Sequence, residues 1–186
     1  MENRPEVWMI QMSHHPISMY YRGRVEESWD GYDLKFFEAT TPENNAKAFL
    51  NFGKKRGTIE FTETEKAVWY SHVEMWARVR GKTKGVIIIE HDAMLVRPIP
   101  VRLFENDMVC LGHTGVKRNA LHGLAYYLTP SIATKMVADV KSIKKIEWNS
   151  DATIAGYCDK IGVLQKDHVK QIQNRSVGVT IEHRRK

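Results

Sequence analysis

The sequence predicts an α/β fold, a mixed sheet flanked by helices, in a single domain spanning residues 1–186. Three observations carry that expectation. Gly85 to Pro100, GVIIIEHDAMLVRPIP, opens on the β-branched run Val86 to Ile89 between a glycine and a proline, the pattern of a strand buried on both faces. Thr62-Glu63-Thr64-Glu65 is a capping box ahead of a periodic apolar stretch, which sets a helix directly before that strand. The chain also opens strand–helix–strand, the first unit of an α/β sheet.

Length and composition agree with this. A chain of 186 residues buries roughly 70% of its unfolded surface. Its 42% apolar and 27% charged residues are ordinary for a globular protein. No apolar run approaches the ~20 residues of a membrane span, and MENRPEVWMIQM lacks the pattern of a signal peptide. Cys110 and Cys158 sit in unlike contexts outside any CxxC pair, so neither a zinc site nor a disulfide framework is expected, and the compartment implied is a reducing cytoplasm. The net charge of +6 and pI near 9.3 imply an acidic partner: nucleic acid, an anionic membrane surface or a phosphorylated substrate.

The elements follow in order. Val7 to Met12 is a first strand. Ser13 is a helix cap and Pro16 a first-turn proline, giving a helix from Pro16 to Trp29 with Gly31 after it. Leu34 to Ala39 is a second strand. The loop between first strand and helix, with Gln11 and Ser13, is a standard place for phosphate or nucleotide, although no GxGxxG or P-loop motif is present. Ala46 to Phe52 is a short helical stretch, and GKKRG a basic turn.

In the helix capped by Thr62, the residues Val68, His72, Met75, Trp76 and Val79 share the inward face, and Gly81 ends it. His72 reads as a satisfied core histidine. After the central strand, Pro98 and Pro100 block sheet pairing. Asp107 to Leu111 is a strand with Cys110 in the core. Gly112 to His122, carrying His113, Lys117, Arg118 and His122, is a loop able to cover a site. Gly123 to Leu128 is a strand. Thr129-Pro130 starts a helix to Ile143 with Ile132, Met136, Val140 and Ile143 inward, followed by the basic patch Lys141, Lys144 and Lys145. Ser150 caps a last helix through Cys158, with Asp151 at the positive end of its dipole, and Val163 to Val169 closes the sheet. The tail ends basic, with His183 and Arg184 placed to close over a nucleotide.

The chemistry concentrates at Glu90-His91-Asp92. If the strand stays extended, Glu90 and Asp92 point the same way with His91 opposite. Two carboxylates at the exit of a buried strand lie where open α/β sheets bind ligands, and they are costly there unless neutralised. Mg²⁺ or Mn²⁺ on Glu90 and Asp92 would hold a diphosphate leaving group. The plainer reading is acidic residues returning the chain to water.

The chain resembles the lipooligosaccharide-building glycosyltransferases of family twenty-five, in a compact and possible phage-type form. VWMIQM and FFEATTPEN resemble that family's first strand and second-strand turn. TETEKAVWYSHVEMW is similar to its GEIGCxLSHxxxW helix, with Glu65 at the acidic position and Ser71, His72 and Trp76 matching directly. GVIIIEHDAML is similar to ALILEDDxxL, HGLAYYLTPSIATKMV to GxxAYxxSxxGAxxL, and WNSDATIAGY to the segment with the family's later Asp. His91 departs from the family's EDD, and the chain is short for the family.

The resemblance implies a GT-A-like, Rossmann-like fold and metal-dependent transfer of a sugar from a nucleotide sugar, a UDP-sugar, with inversion. It implies Asp151 as general base, Glu90 and Asp92 as ligands of Mn²⁺ or Mg²⁺, and Gln11, Ser13, Arg22, Glu90, His91 and Lys117 around the donor. Arg24 and Arg118 are further cations for the diphosphate. The acceptor is expected to be a hydroxymethylated base in DNA, flipped toward the site in the host cytoplasm, with Tyr20, Tyr21 or Trp148 able to stack on it. A saccharide acceptor of lipopolysaccharide synthesis is the alternative. A metal-dependent nuclease would need an ExK-like pattern that the sequence lacks, and a non-catalytic nucleic-acid-binding module would leave the buried EHD without purpose.

Overall fold

The computed structural model describes residues 4–43, 50–55, 57–112 and 123–172. Along the chain these form β1 (Glu6–Gln11), α1 (Pro16–Ser28), β2 (Leu34–Glu38), α2 (Glu63–Val79), β3 (Val86–Glu90), β4 (Ala93–Leu95), a 3₁₀ turn (Val101–Glu105), β5 (Met108–Gly112), β6 (Ala125–Leu128), α3 (Pro130–Ser142), α4 (Ser150–Ile161) and β7 (Val163–Gln171). The strands build one sheet in the order β2-β1-β3-β6-β5-β7-β4. β2, β1 and β3 run parallel, β6 is antiparallel to both β3 and β5, and β7 is parallel to β5 but antiparallel to β4. The expected mixed α/β sheet is what forms.

The central strands are apolar throughout because both their faces are covered. Trp8, Ile10, Val86 and Ile88 pack with Trp76 and Val79 of α2 and with Met136 and Val140 of α3. Val7, Met9, Ile87 and Ile89 pack on the other side with Val25 and Trp29 of α1 and with Leu103 of the 3₁₀ turn. Strands buried on both sides lose the polar alternation of a half-exposed sheet. Gly85 is required at the start of β3, since a Cβ there would run into the Tyr127 ring. The capping box of α2 is complete: Glu65 N–H donates to Thr62 Oγ1 at 3.2 Å, and Thr62 N–H donates to the Glu65 carboxylate at 2.9 Å.

Several sequence expectations are corrected. β3 ends at Glu90 and the chain turns at His91-Asp92, so the triplet does not stay extended. The cause is β4, which pairs antiparallel with β7 through Ala93 and Gln171 and was not foreseen. Val68 and Ile143 are exposed, because α2 and α3 turn those flanks away from the sheet. His15, not Ser13, is the N-cap of α1, and Asn149 rather than Ser150 caps α4 by accepting from Ala152 N–H at 2.8 Å. Cys110 and Cys158 are joined by a disulfide. They lie 48 residues apart, yet α4 packs on β5 and brings their Cα atoms within 6.4 Å, a juxtaposition that spacing alone does not encode. The stretch Ala46 to Phe52 lies partly outside the described residues, and the loop from 113 to 122 and the tail with His183 and Arg184 lie wholly outside them.

Candidate active site

The carboxyl ends of β1 and β3, neighbours in the sheet, bring most of the expected residues to one edge. Register pairs Ile10 with Glu90, so Gln11 and the His91-Asp92 turn follow at the same edge of the sheet. Behind Glu90 lies a polar network inside the helix-covered core. The His72 ring from α2 sets Nε2 at 3.6 Å from Glu90 Oε1 and Nδ1 at 2.9 Å from the Tyr126 hydroxyl of β6. Trp76 Nε1 donates to the same hydroxyl at 2.8 Å. An indole can only donate, so the Tyr126 oxygen accepts there. With a neutral imidazole, the Tyr126 proton then goes to His72 Nδ1, and Nε2–H faces Glu90.

Asp151, in the first turn of α4, closes the network from the side. Its Oδ1 accepts the Gly123 N–H at 3.0 Å. A Cβ on Gly123 would collide with that carboxylate and lie 3.5 Å from His72 Nε2. Glycine at 123 is therefore what lets α2 and α4 bring an imidazole and a carboxylate together across one backbone unit.

The electrostatics separate the three acids. Burial pulls the Glu90 carboxyl upward, but its pairing with the His72 ring and the nearness of His91 outweigh it, and Glu90 lies below the usual range. Burial and then the Glu90 charge push Asp92 up. The same two causes push Asp151 up to about 6, against the opposing effect of His72 and the Gly123 N–H. A carboxyl held near neutrality can take and release a proton at working pH.

Asp92 is only 8% exposed. Its Oδ2 accepts from Gln171 Nε2 of β7 at 2.9 Å, while Oδ1 has no partner. Gln11 Oε1 is likewise buried without a partner. Orphaned buried oxygens are uncommon in folded proteins and ask for an explanation. Two hard oxygen donors at the ends of neighbouring strands fit a divalent cation whose remaining ligands are phosphate oxygens. Among the described residues, no three His, Cys, Asp or Glu side chains converge as a cation cage.

The other expected site residues are placed as follows. His91 stacks on Tyr21 of α1, with ring centroids 6.1 Å apart. Ser13 is exposed and its N–H donates to the Glu38 carboxylate at 3.0 Å. Arg22 is committed elsewhere, with its guanidinium 3.8 Å over the Phe36 ring and Nε at 2.7 Å from Glu26. Tyr21 is buried, whereas Tyr20 and Trp148 are exposed. Lys117 and Arg118 lie outside the described residues. Sequence reasoning did not single out Tyr126, Gly123 or Gln171. Tyr126 had a signal, since it stands in the segment GLAYYL that carries part of the resemblance.

The fold and this edge define an α/β protein with a buried acidic centre at the carboxyl ends of its parallel strands. Among solved structures, the apo form of the glycosyltransferase GlyE from Streptococcus pneumoniae TIGR4 matches at 11% identity and a TM-score of 0.49, covering 89% of this chain and 46% of that one. An active-site mutant of LgtC, Q189E, matches at 8% identity and a TM-score of 0.43, covering 87% of this chain and 72% of that one. The chain thus spans less than half the length of GlyE, and at these values the likenesses carry no residue role over. No protein-family model matches the sequence, and no curated protein matches it. Among the described residues, no helix is long and apolar enough to cross a membrane.

Proposed function

We propose that this protein is a GT-A-like glycosyltransferase that moves a sugar from a nucleotide sugar, a UDP-sugar, to an acceptor hydroxyl, and that the acceptor is a hydroxymethylated base in DNA. The observation that carries the reading is Asp151, whose carboxyl is raised to about 6 at the edge where open α/β sheets bind ligands. The sequence resemblance supports it. Three resembling segments supply His72 with Trp76, Glu90, and Tyr126, and these four residues are joined by a chain of polar contacts.

In this reading Asp151 accepts the proton of the acceptor hydroxyl as the sugar carbon is attacked from the face opposite the leaving diphosphate, which inverts that carbon. Glu90, kept ionised by His72, disfavours a second negative charge nearby and so keeps Asp151 basic enough to act. Asp92 with Gln11 or Glu90 would hold Mn²⁺ or Mg²⁺ beside the donor phosphates, and the ion when bound would supply positive charge against the departing diphosphate. His91 and Ser13 border the donor. Arg22, tied to Phe36 and Glu26, contributes through the shape of α1.

The test is transfer itself. Purified protein is incubated with Mn²⁺, a panel of nucleotide sugars, and duplex DNA containing 5-hydroxymethylcytosine or 5-hydroxymethyluracil, and the digested nucleosides are weighed by mass spectrometry. The expected result is a hexose-sized gain that falls at least ~100-fold in Asp92→Asn, while the variant keeps its fold. Donor hydrolysis without any gain on DNA would move the acceptor to a saccharide. The absence of both transfer and donor hydrolysis would overturn the assignment.

A further inference from the structure

Resting on the reading of the acceptor as DNA, we infer that the end of α3 and the connector that follows it to α4, residues 141–149, are the surface that receives it. Trp148 is the stacking platform and Lys141, Lys144 and Lys145 are the phosphate contacts.

The connector is exposed along its length except at one residue. Ile146 is buried at 4% exposure and anchors the segment in the core. Its N–H donates to Asn51 O at 2.8 Å and its carbonyl accepts from Gly53 N–H at 2.9 Å. Asn51 Nδ2 donates to Lys144 O at 2.7 Å, and Trp69 Nε1 donates to Trp148 O at 2.9 Å. The backbone is therefore braced at 144, 146 and 148, while the side chains of Lys144, Lys145 and Trp148 stand in water.

A tryptophan left 56% exposed on a braced backbone has its ring available without an ordering cost, the condition for stacking on a base. The lysines are equally available. Lys35 and Lys82 are bound to Glu6, Lys55 to Glu65 and Lys66 to Glu63. Lys141, Lys144 and Lys145 have no acidic partner among the described residues. Glu147 is the single acid on the segment, against three lysines. Free cations beside an exposed aromatic are the electrostatic and stacking halves of a single-strand binding surface.

Position makes the surface useful. Trp148 lies three residues before Asp151, so their Cα atoms are at most about 11 Å apart. A strand lying along the connector brings an unstacked base to the candidate base catalyst while a neighbouring base rests on Trp148.

The experiment measures binding of a fluorescein-labelled single-stranded oligonucleotide and its duplex by anisotropy across a salt series, with donor hydrolysis measured in parallel. Lys144→Glu with Lys145→Glu is expected to weaken binding about tenfold or more at low salt and to lower the salt slope by about two. Trp148→Ala is expected to weaken single-strand binding about fivefold or more. Arg102→Glu, on the 3₁₀ turn packed against the opposite face of the sheet, should bind DNA and hydrolyse donor as the wild type does. Wild-type affinity in both connector variants would overturn the proposal, as would a connector that proves necessary only for a phosphorylated oligosaccharide. Loss of DNA binding in the connector variants of a protein that hydrolyses no donor would uphold the surface and overturn the glycosyltransferase reading instead.

Discussion

The two ends of the central strands treat their acids in opposite ways. At the amino end, Glu6 receives the Trp8 indole at 2.8 Å, the Lys35 ammonium at 2.9 Å and the Lys82 ammonium at 3.1 Å. Burial pulls its carboxyl upward, but these hydrogen bonds hold it down at about 2. At the carboxyl end, Asp151 is pushed up to about 6, Asp92 is pushed up, and one oxygen of Asp92 and one of Gln11 have no partner. The amino edge is arranged for stability. The carboxyl edge carries charge repulsion and unmade hydrogen bonds that destabilise it, which is the signature of a place built to meet something else. Glu90 stands between these cases: it belongs to the carboxyl edge but is satisfied by His72.

The sharpest test of the comparison is Asp151→Asn. If this residue is the proton acceptor, transfer should fall about 10²–10⁴-fold, read in the mass-spectrometric assay. The wild-type rate should rise with pH through an inflection near about 6, the value to which Asp151 is raised. A pH-independent rate over that range would remove Asp151 from the role.

Tyr126→Phe comes next. It would leave Trp76 Nε1 and His72 Nδ1 buried without their partner. At about 1–3 kcal/mol for each unsatisfied group, the loss in urea unfolding should be roughly 2–6 kcal/mol. A loss under about 1 kcal/mol would show that the network relaxes freely, and the contrast between satisfied and unsatisfied acids would weaken.

The pH dependence of stability distinguishes the two edges directly. Asp151 has a folded value above its ordinary 3.8, so the native state binds more protons than the unfolded chain. Its contribution grows as pH falls through about 6, is complete below about 4, and is lost as pH rises again. Asp151→Asn should abolish that rise. Glu6 has the reverse sign. Its stabilisation is present above its ordinary 4.5 and is lost as pH falls toward about 2. Glu6→Gln should flatten that acid limb, at a cost near neutral pH of about 1 kcal/mol or less, because the pair is partly exposed and screened.

What was legible in the sequence follows from how local each signal is. The capping box at Thr62, the β-branched run of β3 and the Thr129-Pro130 helix start are written in neighbouring residues, and the structure places them as read. β4 was not legible, because Ala93 to Leu95 is a strand only by virtue of β7 beside it. For the same reason the EHD triplet looked extended when it turns. The Cys110–Cys158 bond depends on α4 docking on β5, which no spacing rule reaches. At the candidate site, Glu90 and Asp92 were singled out by residue type and position, and Asp151 by the family resemblance. Tyr126 and Gly123 were passed over because a buried hydroxyl and a glycine have no meaning until the imidazole and the carboxylate they serve are in place.

The order of strands has a further consequence for biosynthesis. β7 is the last element of the described chain, yet it sits inside the sheet between β5 and β4. As the polypeptide emerges amino end first, β1, β2 and β3 can pair and collapse around α1 and α2 while β4 still lacks its only described neighbour. Until residue 171 has been made, Asp92 lacks the amide of Gln171 as well. A chain terminated before Val163 would therefore lack both the strand that pairs with β4 and the amide that holds Asp92.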